Sequence, residues 1–69
     1  MEHKLNEIIR LADLPKYTGL RRTQILHYID QGDFPRPIKL GERAKGWLAS
    51  EIQAWQQARI SARDTEGIL

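Results

Sequence analysis

Pro35 and Pro37 stand one residue apart in Phe34-Pro35-Arg36-Pro37, so no helix runs through that segment. A proline lacks the backbone donor a helix needs and pushes the preceding residue into extended conformation. Helices must therefore lie before Phe34 or well after Pro37. In a chain of 69 residues this leaves one small domain with a fixed order of parts.

Before the prolines, residues 12–18 read as a first helix of about two turns. Leu14 and Tyr17 are three apart and face the core in this reading, and Pro15 pins the helix start. Gly19 supplies the left-handed residue that commonly ends a helix. Residues 22–31 read as a second helix. Ile25, Leu26 and Ile29 share its inward face, and Gly32 ends it. Two helices joined at a glycine turn have helix-turn-helix spacing. In front of them, Ile9 and Leu11 alternate with Arg10, as in a very short strand or extended lead-in.

After the prolines, Ile38 and Leu40 alternate with Lys39, Gly41-Glu42-Arg43 reads as a turn, and residues 44–47 as a return strand. This hairpin, 38–47, is a wing. A last helix starts near Leu48 to Ser50, with Leu48, Ile52 and Trp55 as its apolar stripe and Ser50 and Glu51 suited to its first turn. Its periodicity fades near Ser61 or Arg63. The predicted fold is mainly α with a small β-hairpin, a winged helix-turn-helix. Residues 1–8 form a flexible lead-in, 9–61 the domain and 62–69 a tail.

Composition excludes several functions. There is no cysteine, and His3 and His27 are too far apart to suggest a metal site. No apolar run reaches the length of a membrane span and no signal peptide is visible, so the expectation is a cytoplasmic protein without cofactor. No nucleophile–base pair, phosphate loop or metal set supports an enzyme. The net charge is only +2, but residues 16–45 carry seven basic and three acidic side chains, a balance of +4. Positive charge therefore gathers on the second helix and the hairpin.

The residues expected to meet nucleic acid follow. Arg21 and Arg22 open the second helix, where guanidinium suits a phosphate or the O6 and N7 acceptors of guanine. Thr23, Gln24 and His27 lie opposite Ile25 and Ile29. Gln24 can pair bidentately with adenine, Thr23 can touch a thymine methyl or a phosphate, and His27 can donate to a phosphate or base edge. Tyr28 sits at the border between core and phosphate. Arg43, at the wing tip, suits the minor groove or the backbone. Lys39, Lys45 and Arg36 are phosphate contacts in this reading. Trp47 and Trp55 can serve as core residues or as stacking platforms for single strands; their apolar spacing favours the core.

The series Thr18-Gly19-Leu20, Ile25, Gly32-x-Phe34-Pro35-x-Pro37, Lys39-Leu40-Gly41 and Trp47-Leu48-x-Ser50-Glu51-Ile52-x-Ala54-Trp55 resembles the AlpA-type prophage regulators. These are similar to the wider group of MerR-like winged-helix proteins and phage excisionases. The resemblance spans Ile9 to Ile60. It implies a small DNA-binding protein of a mobile element, acting as a transcriptional activator of excision genes or as a recombination directionality factor that bends attachment-site DNA. Two positions depart from the pattern. Arg21 stands where the family usually has a capping serine, with Gln24 placed to reach back in its stead. Lys45 stands where an aliphatic residue is common, which leaves open which strand face meets DNA.

A competing class is a protein-interaction adaptor that docks through the last helix, 48–61, on an integrase or polymerase. The absence of a heptad seam points to a monomer in solution, with several copies on adjacent DNA sites.

Overall fold

The computed structural model describes residues 5–66. Residues 1–4 of the expected lead-in and 67–69 of the expected tail lie outside the described residues. The elements are strand β1 (Ile8–Ile9), a 3-10 turn (Leu11–Asp13), helix α1 (Leu14–Thr18), helix α2 (Arg22–Gln31), strands β2 (Ile38–Lys39) and β3 (Lys45–Leu48), and helix α3 (Ala49–Glu66). Together they form a mainly helical winged helix-turn-helix with a small antiparallel sheet.

Both helix ends in the helix-turn-helix are closed by left-handed glycines. Gly19 has φ 73° and donates its N–H to the Pro15 carbonyl at 2.9 Å. Gly32 has φ 82°; its N–H meets Ile29 O at 3.1 Å and the next N–H, of Asp33, meets Tyr28 O at 2.8 Å. That pair of bonds is a Schellman closure. The turn between α1 and α2 is tied by Thr18, whose hydroxyl donates to Leu14 O at 2.9 Å and accepts the Leu20 N–H at 3.1 Å. At the start of α2, the Arg21 N–H donates to Gln24 Oε1 at 2.9 Å. Gln24 thus supplies the reach-back bond that its spacing predicts.

The sheet has three strands in the order β1-β3-β2, all antiparallel. The hairpin of the sequence reading is therefore only part of it. β1 pairs Ile8 with Leu48 and Ile9 with Trp47, and the Ala49 N–H at the head of α3 donates to Glu7 O at 2.9 Å. The β2–β3 loop is closed by Leu40 N–H to Ala44 O at 2.7 Å.

Five residues from five segments make the buried core: Leu14, Ile25, Phe34, Trp47 and Ile52. Burying such a side chain is worth roughly 1.5–3 kcal/mol, so each segment is anchored by one residue. Phe34 lies edge-on to both tryptophans, with ring centroids 6.5 Å from Trp47 and 5.2 Å from Trp55. The Trp47 indole donates to Pro35 O at 2.8 Å and the Trp55 indole to Asp33 O at 3.2 Å. The two indoles thus grip the backbone on either side of Phe34. Both tryptophans act in the fold.

Four expectations change. Tyr17 is 43% exposed and does not enter the core; Leu14 alone anchors the short α1. Leu26 is 46% exposed, because it lies about 100° around α2 from Ile25 and the single small core covers only one side of the helix. Leu48 belongs to β3, so the apolar stripe of α3 begins at Ile52. α3 itself continues through Glu66, past Ser61 and Arg63. Its distal half contains Ala58, Arg59, Ala62 and Arg63, strong helix formers that sustain a helix without burial.

Candidate nucleic-acid interface

The register of the sheet determines which way the wing's cations point. Side chains alternate along a strand, so Lys45 shares a face with Trp47, two residues on. Trp47 is buried, so Lys45 projects on the core side of the sheet, beyond the edge of the core, where it lines a cleft with Arg22 and Leu26 of α2. Lys39 is the direct cross-strand partner of Lys45 and lies on that same face. Like charges directly opposite on a sheet are destabilising, by up to about 1 kcal/mol. A nearby anion would remove that cost.

The opposite face of the hairpin is closed by a steric constraint. Gly46 is buried, and a Cβ at that position would run into Ile8 Cγ2, with Leu40 Cδ1 at 3.1 Å. Ile8 and Leu40 cover this outer face, and the cations are gathered on the other.

Between the sheet, the 3-10 turn and α2 runs an open cleft of about 580 Å³. Arg22 and Leu26 line it from α2, Arg43 and Lys45 from the hairpin, and Arg10 from the segment before α1. Its floor is apolar, with Leu11, Ile29, Pro37 and Trp47. An adjoining hollow is lined by Arg36, Lys39, Lys45 and Asp30. Lys45, Ile29 and Pro37 belong to both, so the two form one continuous basic surface. Among the described residues the single ion pair is Arg63–Asp64 at 3.0 Å, near the end of α3. No carboxylate among the described residues lies within ion-pair distance of the cations of the cleft.

The remaining expected residues occupy the neighbouring side of α2. Thr23, Gln24, His27 and Tyr28 line a shallow depression there. Thr23, Gln24 and His27 are exposed, while Tyr28 is half-buried against the core, its ring 6.0 Å from that of His27. Arg21 is exposed at the N-cap of α2. The structure therefore brings Arg22, Arg43 and Lys45 together, sets Arg36 and Lys39 beside them, and turns Thr23, Gln24 and His27 outward along the helix.

Gln24 carries a constraint that spacing alone did not reveal. Its carbonyl oxygen already accepts the Arg21 N–H. A bidentate contact with adenine uses that oxygen and the amide N–H together, so base reading competes with the cap. Sequence reasoning also missed Arg10 and Leu26 as parts of the site. Arg10 stood alone in an apolar alternation, and Leu26 fitted the spacing of a core residue. No group of three or more potential metal ligands occurs among the described residues. No described helix is long and apolar enough to cross a membrane.

Comparison with known proteins identifies the family. Residues 7–60 match the family described as Prophage CP4-57 regulatory protein (AlpA). The chain is also similar to an uncharacterized protein, ORF88, of Enterobacteria phage P4, at 36% identity over 55 residues. That alignment covers 80% of this chain and 62% of the phage protein, so the chain spans less than two thirds of this relative's length. No solved structure matches significantly.

Proposed function

The chain belongs to the AlpA family of prophage regulatory proteins, which carries a DNA-binding regulatory role, and from that premise we propose that it binds double-stranded DNA sequence-specifically through α2 and the hairpin. α2 enters the major groove with its N-terminal half, and Thr23, Gln24 and His27 face base edges. The hairpin, with Arg43 at its turn, meets the adjacent backbone or minor groove. Arg21, Arg36, Lys39 and Lys45 hold phosphates, and Tyr28 contributes at the border. The observation that carries the reading is the cleft, where Arg22, Arg43 and Lys45 converge from two separate elements with no acidic side chain lining it. Such a cluster is unfavourable alone and favourable against a phosphate backbone.

Within that role, the protein serves as a transcriptional regulator, an excision factor for a mobile element, or both, acting in the cytoplasm. It is a monomer in solution and binds as several adjacent copies, with an integrase or RNA polymerase as a further partner. Gel shifts across a salt series test the core of the proposal. With about five or six cations near the backbone, log affinity should fall with log salt at a slope of roughly −4 to −6. A flat salt dependence, or no duplex binding, would sink it. For the excision role, shifts with the site moved along a fragment should reveal bending; uniform mobility would leave the transcriptional role alone.

A second reading, an adaptor docking through α3, has one supporting observation. The described side chains of α3 beyond Gln56 are all exposed, and Ile60 lies with Tyr17 in a groove away from the basic cleft. Alterations on α3 that abolish regulation while duplex binding persists would favour it as an added function.

A further inference from the structure

We propose that Arg10, on neither the reading helix nor the wing, is a third DNA anchor, and that the cleft it shares with Arg22, Arg43 and Lys45 seats one strand's sugar-phosphate backbone. This rests on the duplex-binding reading above and specifies where a strand crosses from α2 to the hairpin.

The position of Arg10 is held from both sides. Ile9 pairs with Trp47 in the sheet, and the Arg10 carbonyl accepts the Asp13 N–H at 2.9 Å as the 3-10 turn begins. The backbone is thereby fixed one step beyond the last β1–β3 pair, while the side chain remains exposed and lines the cleft. Cations then enter the cleft from three segments far apart in sequence. Their convergence is a product of the fold, since no local charge run creates it.

The cleft's chemistry selects the ligand. A small inorganic anion would use the cations and leave the apolar floor unfilled. A deoxyribose-phosphate unit uses both: the sugar carbons lie on Leu26 and Pro37, and the phosphate oxygens meet guanidinium groups in the paired geometry arginine favours. An acidic peptide could also meet the cations. It would not explain why the cleft continues into the hollow lined by Arg36 and the Lys39–Lys45 pair. A continuous polyanion does.

The test uses the full chain and a duplex that it selects from a random-sequence library, with a random duplex alongside. Arg10→Ala should weaken binding to both about equally and flatten the log–log salt slope by roughly one unit. In phosphate-ethylation interference, one phosphate that matters to the wild type should cease to matter to Arg10→Ala, and base preference should not change. Arg10→Lys should retain the slope, and Arg63→Ala, far out on α3, should behave as wild type. Arg10→Gln keeps length and polarity should the alanine variant fold poorly. If the Arg10 variants leave the slope and the ethylation pattern unchanged while Arg22→Ala and Arg43→Ala alter them, Arg10 is no anchor and the duplex-binding reading still stands. Weaker binding with the same slope and pattern would make Arg10 structural and overturn the proposal. Binding of an acidic peptide, with no duplex binding by the wild type, would overturn both readings.

Discussion

The two sides of α2 obey opposite rules. On the inward side, Ile25 meets a core in which polar atoms have partners: each indole N–H finds a carbonyl flanking Phe34. No buried side-chain polar atom among the described residues lacks a hydrogen bond. On the side facing the wing, Arg22, Arg43 and Lys45 converge without a counter-charge, and Lys39 stands directly across from Lys45. The first region is complete as folded. The second gathers like charges, which the proposed DNA contact would neutralise. On the proposed reading, stability and binding are divided between adjacent faces of one helix, since Arg22 lies only about 60° around α2 from Ile25.

That division is broken or upheld by comparing stability with affinity. The largest expected effect is on Trp47, which is 2% exposed and bonded through its indole. Trp47→Ala should cost about 3–5 kcal/mol. Domains this small have only a few kcal/mol in hand, so circular dichroism should find the variant largely unfolded at 25 °C. Arg22→Ala combined with Arg43→Ala should melt at or above the wild-type temperature while losing DNA. A double variant as unstable as Trp47→Ala would mean that the cleft supports the core, and the contrast would collapse. Trp55 is only half-buried, so Trp55→Ala should cost less than Trp47→Ala.

Next in size is Gly46, which separates the covered outer face of the sheet from its cationic inner face. An alanine Cβ there meets Ile8 Cγ2 and lies 3.4 Å from Ile9 O. Overpacking of this kind typically costs about 1–3 kcal/mol. Ile8→Ala should recover much of that loss in thermal melts. An unchanged Gly46→Ala variant would show that β1 yields freely and does not fix the wing.

How far the sequence foretold this division depends on the range of each interaction. The glycine turns, Pro15 and the Gln24 reach-back are local, and residues two to five apart suffice to read them. So is the proline break that precedes the hairpin. β1 was legible only as alternation, because a two-residue strand has too few positions for a pattern and its partner lies some forty residues away. Leu26 misled because i, i+3 spacing marks a face without saying how wide the core beneath it is. Arg10 was invisible as a site residue for a related reason: its role depends on where β1 docks. α3 outlasted its apolar periodicity because propensity alone can carry an exposed helix.

Gln24 sharpens the contrast at a single residue, since its carbonyl oxygen serves the fold while the residue is exposed. Loss of the bond to Arg21 N–H should cost roughly 0.5–1.5 kcal/mol of stability. If Gln24 also reads adenine, Gln24→Ala should lose a further 1–3 kcal/mol or so on the selected site and little on random DNA. Melting and binding measured on one preparation separate the two. A lower melting temperature with unchanged sequence preference would assign Gln24 to the fold alone.

The smallest effect concerns Asp30, the one carboxylate lining the hollow beside Arg36, Lys39 and Lys45. It is exposed and forms no ion pair with a described residue, so its charge opposes an approaching phosphate without strengthening the fold. Asp30→Asn keeps the size of the side chain and removes that repulsion. Exposed charge interactions are worth up to about 1 kcal/mol, so affinity at low salt should rise roughly two- to fivefold on every duplex. The gain should shrink as salt screens it, and the melting temperature should hardly move. No gain at low salt would mean that the backbone does not pass over this hollow. The strand would then run only through the cleft beside Arg22, leaving the Lys39–Lys45 pair to some other anion.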